Sequence, residues 1–193
     1  MLIKNLSKPF HHTIIYDFYS KEEEEIVWKE LEFLNKPGKL FSPKNTGDPR
    51  SSPNKTGIFL HQVYENLNFS DIFLIHRKIY KLKNCIKENI FHEYFYVKSL
   101  YDVIMISYYE NKSYYEFHRD DAILSAVTTF WKTPKKFTGG KLTFPDYNYT
   151  PKMNHNTLIL FPSFVLHEVT EIKMKNDDKI NGRYTINQFF ATE

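Results

Sequence analysis

The chain has 193 residues, 41% hydrophobic and 17% aromatic, with a formal net charge of +3 at pH 7. Such a make-up gives a globular protein with a sizeable core, and the scattered basic residues leave no dedicated nucleic-acid or membrane surface. The lone cysteine, Cys85, excludes an intrachain disulfide, and no run approaches the ~18 apolar residues of a membrane span.

The amino terminus lacks a long apolar region followed by a small-residue cleavage site, so the expectation is a soluble cytoplasmic protein. Lysine outnumbers arginine, and Asn, Ile, Tyr and Phe abound while Ala is scarce. AT-rich genomes, those of many viruses included, encode chains of this kind. In chain order, "TIIYDFY" reads as a strand, and Ser20 with Glu23 forms a capping box for a helix that buries Ile26, Val27, Leu31 and Leu34. Lys36–Thr56 is dense in Pro, Gly, Ser and Asn and reads as a long loop, a candidate substrate lid. "GIFLHQVY" reads as a second strand. Ser70 then caps a helix with Ile72, Ile75, Ile79, Leu82, Ile86 and Ile90 along one stripe.

Beyond Phe91 the pattern changes to short β-rich runs: "YDVIMISYY", "SYYEFH", "ILSAVTTFW", "GKLTFP", "NTLILFPS", "HEVTEI" and "RYTINQFF". "TGG" and "KNDDKING" read as turns between them. The expected fold is mainly β with flanking helices, a jelly-roll core packed against N-terminal helices. One domain spans 1–193, with helical support and lid over about 1–100 and the core over about 101–190.

His118 and Asp120 stand two apart, so an extended backbone points both side chains to one side, where they can share an ion. His167 is the candidate third ligand. Two histidines and one carboxylate leave coordination positions open, as non-haem Fe(II) sites do, although the same donor set also suits zinc. In "RYTINQFF", Arg183, Thr185, Asn187 and Phe189 share one side of a strand. An arginine buried there needs an anion, and a ligand carboxylate accepts its planar fork with help from the Thr185 hydroxyl.

Together "HRD", "GGKLTFP", "LILFPS", "HEV" and "RYTINQFF" make the segment from about Tyr101 to Phe190 resemble the prolyl 4-hydroxylase-like branch of the Fe(II)/2-oxoglutarate-dependent dioxygenases. The resemblance implies a double-stranded β-helix with His118, Asp120 and His167 as iron ligands. It also implies that Arg183 holds the distal carboxylate of 2-oxoglutarate, with Tyr108 and Thr185 lining the co-substrate pocket. Implied cofactors are Fe(II), 2-oxoglutarate and O2. The implied reaction hydroxylates an unactivated C–H bond of a prolyl or other side chain in a peptide or protein, or of a small molecule, releasing succinate and CO2. Asp120 stands where related halogenases have a small residue, which favours hydroxylation. One departure is the longer "KMKNDDKIN" stretch between His167 and Arg183.

Two other classes compete: a non-catalytic jelly-roll module that binds a peptide or glycan, and a nucleic-acid demethylase of the same superfamily, against which the absence of a basic stripe weighs. Asp121 reads as a turn residue, Arg119 as exposed or substrate-facing, His61 as an ordinary strand histidine and His155 as a loop residue. Trp131 and Phe189 are candidates for the pocket or the core. Gly139 and Gly140 read as a tight turn.

Overall fold

The computed structural model describes residues 1–42, 50–82, 85, 101–175 and 180–191. Its elements, in chain order, are β1 (Leu2–Leu6), β2 (His12–Tyr16), α1 (Lys21–Leu34), β3 (Lys55–Phe59), α2 (Asp71–His76), β4 (Tyr101–Tyr109), β5 (Tyr115–His118) and β6 (Leu124–Phe130). There follow β7 (Phe137–Gly139), β8 (Leu142–Thr143), β9 (Thr157–Pro162), β10 (His167–Val169), β11 (Ile172–Met174) and β12 (Arg183–Ala191). A seven-stranded sheet runs β1-β2-β9-β6-β12-β4-β3. Facing it are a three-stranded sheet, β5-β10-β8, and the pair β11-β7. All these pairings are antiparallel, and the architecture is the expected jelly roll.

Alternation along the strands sorts side chains into two apolar layers. Tyr184, Ile186 and Phe190 of β12 join Ile104, Ile106 and Tyr108 of β4 in a layer beneath the helices. Tyr109, Val127, Leu142, Ile159, Phe161 and Val169 pack between the two sheets. β6 is buried along its whole length because it lies between these layers.

The capping box of α1 is present: Ser20 Oγ accepts from the Glu23 N–H, and Glu23 Oε2 accepts from the Ser20 N–H. The helix buries Val27, Leu31 and Leu34 against the large sheet, each contributing about 1.5–3 kcal/mol. Glu30 is buried on the same helix and accepts from Ser70 Oγ and from the Ile72 N–H, both at 2.7 Å. That carboxylate pins the start of α2 to α1.

Several expectations need correction. The strand placed at "GIFLHQVY" starts two residues earlier, at Lys55, and gives way to a 3₁₀ turn at Leu60–Gln62. The isoleucine stripe is α2 followed by a 3₁₀ segment, Arg77–Leu82, and Ile86 and Ile90 lie outside the described residues. "GKLTFP" forms strand only at Leu142–Thr143, and "HEVTEI" divides between β10 and β11. β1 and β7 have too few alternating apolar residues to be read from sequence. The proposed lid lies partly outside the described residues; of the rest, 50–52 runs along β5 and its last two residues, Lys55 and Thr56, open β3.

His76 is fully buried, and its Nδ1 shares a 2.5 Å hydrogen bond with the Tyr19 hydroxyl. Burial, helped by the nearby Lys78, lowers its pKa to about 3. It is therefore neutral in the fold but takes up a proton in the unfolded chain below its ordinary 6.5, so its contribution to stability falls as pH drops from 6.5 toward 3. Urea unfolding of the metal-free protein should show this loss, and His76→Leu should flatten the slope by about 1.4 kcal/mol per pH unit. An unchanged slope would refute the assignment.

Candidate functional site

His118 closes β5, His167 opens β10, and the two are register partners with ring centres 4.2 Å apart. Each ring is fixed by its own backbone: Nδ1 of His118 lies 2.7 Å from the Glu116 carbonyl, and Nδ1 of His167 lies 2.9 Å from that of Val165. A carbonyl only accepts, so both Nδ1 atoms carry the proton and both Nε2 lone pairs are free to bind a metal. Those Nε2 atoms stand 3.6 and 3.5 Å from the two Asp120 carboxylate oxygens. Donor atoms from all three residues lie within 4.8 Å of one another. Tyr115 stacks on His118 at 3.7 Å, and Phe161 meets His167 edge-on.

Asp120 lies beyond the end of β5 rather than on it. Its position comes from an N–H donated to the Ser163 carbonyl at 3.0 Å. The Ser125 hydroxyl donates to Asp120 Oδ2 at 2.5 Å, which leaves Ser163 Oγ to donate to Ser125 at 2.8 Å. Burial, then the neighbouring His167, lowers the His118 pKa to about 3, against the raising effect of its bond to Glu116. That imidazole is neutral across the physiological range. Asp121 is exposed, as expected of a turn residue, and so is Arg119, which donates to the Phe164 carbonyl.

Thr185, Asn187 and Phe189 line the same pocket as the triad, on the inward side of β12. Arg183 shares that side and is 1% exposed. Its guanidinium lies 5.1 Å from the Tyr109 ring centre, and the Tyr109 hydroxyl favours its charge against the pKa-lowering effect of burial. Even so, none of its three nitrogens has an acceptor in good hydrogen-bond geometry, and the buried Thr185 hydroxyl has none either. Gly140 makes room for the arginine stem, because a Cβ there would stand 3.1 Å from Arg183 Cδ and 2.3 Å from Ile172 Cδ1. Of the long stretch after His167, Lys173 and Met174 belong to β11, paired with β7, while 176–179 lie outside the described residues, and Arg183 meets Tyr109 in register.

Tyr108 does not line the pocket. Its ring packs on Tyr184, 4.6 Å between centres, in the layer under the helices, and its hydroxyl accepts from the Gly182 N–H. Tyr109 takes the pocket position. The parity of "YDVIMISYY" carries the signal: Tyr108 alternates in phase with Ile104 and Ile106, which belong to the core. Other pocket contributors missed in the sequence are Lys55, hidden inside a segment read as loop, and the serines behind Asp120, which nothing in the sequence marks out. Phe189 is at the pocket, whereas Trp131 belongs to the layer between the sheets. His61 is exposed and stacks on Phe59, and His155 links β6 to α1 by accepting from the Trp131 N–H and approaching Glu24.

The donor set fits a divalent metal, with two imidazole nitrogens and a carboxylate converging on one point. The unsatisfied guanidinium and hydroxyl fit a carboxylate ligand.

Residues 104–191 match the sequence model of the 2OG-Fe(II) oxygenase superfamily. A PKHD-type hydroxylase of Crocosphaera subtropica is 30% identical over 81 residues, covering 36% of this chain and 36% of the relative, so the match spans about a third of that protein's length. Among solved structures, a Pseudomonas putida prolyl-4-hydroxylase is similar with a TM-score of 0.66 at 14% identity, over 94% of this chain and 92% of that one. The viral collagen prolyl hydroxylase of Paramecium bursaria Chlorella virus-1, solved with 2-oxoglutarate, gives a TM-score of 0.59 at 15% identity, over 94% and 96%. At such identities the structural likeness is one of fold. Residues 104–191 are thus similar in sequence to the 2OG-Fe(II) oxygenase superfamily, and the fold of the chain is similar to that of prolyl hydroxylases.

Proposed function

We propose that this chain is an Fe(II)- and 2-oxoglutarate-dependent dioxygenase that hydroxylates an unactivated C–H bond, with a prolyl or other side chain of a peptide or protein as the substrate. The reading treats 1–193 as one catalytic domain. A single observation carries it: one pocket presents a metal-ready His-Asp-His set beside an inward strand face that ends in a buried guanidinium with no acceptor in good hydrogen-bond geometry. The hydroxylase names of the relatives support the reaction class and the prolyl substrate.

In this reading His118, Asp120 and His167 hold the iron. Arg183 and Thr185 hold the distal carboxylate of 2-oxoglutarate, with Tyr109 beside the guanidinium. Bound iron, 2-oxoglutarate and O2 together supply the oxidising power, with succinate and CO2 as the products of the co-substrate. The protein supplies geometry. Backbone carbonyls hold both imidazoles in the Nδ1–H tautomer, and the serine pair orients the carboxylate. Val127, Leu142 and Val169 add apolar wall to the pocket, which limits water around the reacting centre.

Succinate formation from 2-oxoglutarate should require Fe(II) and vanish in His118→Ala or Asp120→Ala. Absence of iron-dependent turnover, with or without a prime substrate, in well-folded protein would overturn the proposal. Arg183→Ala should raise the KM for 2-oxoglutarate by roughly 10- to 200-fold, the equivalent of about 1.5–3 kcal/mol for charged hydrogen bonds, while metal binding persists. An unchanged KM would move the anchor elsewhere. Ser125→Ala should weaken Mn(II) affinity by about 10- to 100-fold, read by EPR titration. Unaltered affinity there would remove the serine relay from the site.

A further inference from the structure

A buried serine shares the triad's pocket. Ser107 on β4 is fully buried, lines the same pocket as His118, Asp120 and His167, and its Oγ has no hydrogen-bond partner among the described residues. Thr185 on β12 is in the same condition, and the two residues are register partners. Directly opposed strand residues leave the sheet on one side with Cβ atoms about 4.5–5.5 Å apart, so an oxygen placed between the two hydroxyls can accept from both. A buried hydroxyl left without a partner is costly, and two side by side in a pocket point to a ligand that supplies the acceptor.

The neighbours in the same row sharpen this. Gly57, Ser107, Thr185 and Thr129 stand side by side on β3, β4, β12 and β6. Thr129, at one end, is satisfied, because its hydroxyl donates to the Asn154 carbonyl at 2.6 Å. Gly57, at the other end, brings no side chain. A Cβ there would stand 3.4 Å from Ser107 Oγ and 2.7 Å from Met105 Cε, so the glycine keeps the serine uncovered on its β3 side. Thr157 and Ser113 also have buried hydroxyls without a partner among the described residues, but neither lines this pocket. Two residues along β4 and β12, on the same face, the next pair is Tyr109 with Arg183. A carboxylate offers about four lone-pair sites, and a guanidinium fork fills two of them. Two sites remain for donors beside the arginine.

We propose that Ser107 is a further co-substrate-binding residue, whose hydroxyl joins that of Thr185 in donating to the carboxylate held by Arg183. The inference rests on the oxygenase reading above and deepens it by completing the donor set at the distal end of 2-oxoglutarate. Gly57 belongs to the same device, because it leaves the serine hydroxyl open to the ligand. An acid that chelates the metal but has no distal carboxylate does not engage Ser107.

The test titrates the full chain, loaded with Mn(II), with two inert chelators in a calorimeter. N-oxalylglycine carries both ends of 2-oxoglutarate, whereas oxalate carries only the metal-binding end. Ser107→Ala should weaken N-oxalylglycine binding by at least about tenfold, as expected for a lost hydrogen bond to a charged group, and leave oxalate affinity within threefold of the parent. In urea unfolding of the metal-free, ligand-free protein, the midpoint of Ser107→Ala should equal or exceed that of the parent, because the hydroxyl removed bonds nothing there. N-oxalylglycine affinity within threefold of the parent would overturn the proposal. Equal losses for both chelators would overturn it too, by placing Ser107 at the metal end. A lowered midpoint, loss of folding included, would overturn it by giving the hydroxyl a structural bond. Failure of the parent protein to take up N-oxalylglycine in a Mn(II)-dependent way separately defeats the oxygenase reading.

Discussion

A guanidinium sealed from water between two sheets sets the terms for this structure. Arg183 is 1% exposed, and its nitrogens have no well-placed acceptor. Holding a cation in that state costs several kcal/mol that only an anionic ligand offsets fully. The cost is tolerated because the opposite side of the same strand is among the best-packed parts of the protein: Tyr184, Ile186 and Phe190 are all fully buried. A two-residue period therefore couples binding to stability, since no register of β12 can bury those three side chains without also turning Arg183, Thr185 and Asn187 inward.

The metal side of the pocket is organised by a different and more local device. Each histidine donates Nδ1–H to a carbonyl two residues upstream on its own chain. The tautomer and ring plane thus depend on the immediate backbone and not on a distant partner. Register between β5 and β10 then brings the rings together, and an N–H bond to Ser163 places Asp120. Little rearrangement remains for a metal to impose, which is the arrangement that keeps an open coordination face in a defined direction. Arg183 waits for its counter-charge, whereas the triad is already satisfied in hydrogen bonding at every atom not aimed at the shared point.

This difference explains what could be read in the sequence. His118, Asp120, His167, Arg183 and Thr185 announce themselves because their residue types are out of place among apolar strand residues, and strand periodicity says which way they face. Tyr108, which the resemblance implies for the co-substrate pocket, is in phase with Ile104 and Ile106 and faces the core instead, because phase decides the face. Asp120 reaches the site by a turn rather than by the extended geometry that suggested it, since β5 stops at His118. Lys55 and the Ser125–Ser163 pair were illegible for a physical reason. A lysine in a Pro/Gly/Ser-rich stretch looks solvated, and a strand serine looks like filler, until tertiary pairing buries them. The isoleucine stripe after Ser70 signalled an apolar face correctly, but tertiary context shortened the helix that carries it to Asp71–His76 with a 3₁₀ continuation.

Chemistry and selection accordingly occupy different kinds of structure. The residues that would hold metal and co-substrate sit on strands fixed by register, where a one-residue slip would turn apolar side chains toward water. Lys55, which also lines the pocket, opens β3 just after the segment 50–52, which adheres to β5 by a few backbone bonds before the chain crosses between sheets. A change of length or composition there alters the charge and shape presented beside Tyr115 without disturbing β12 or the two histidines. A pocket built in this way can retain one reaction while its preferred substrate changes, because the rim beside Tyr115 is formed by a crossing segment, separate from the strands that carry the triad and Arg183.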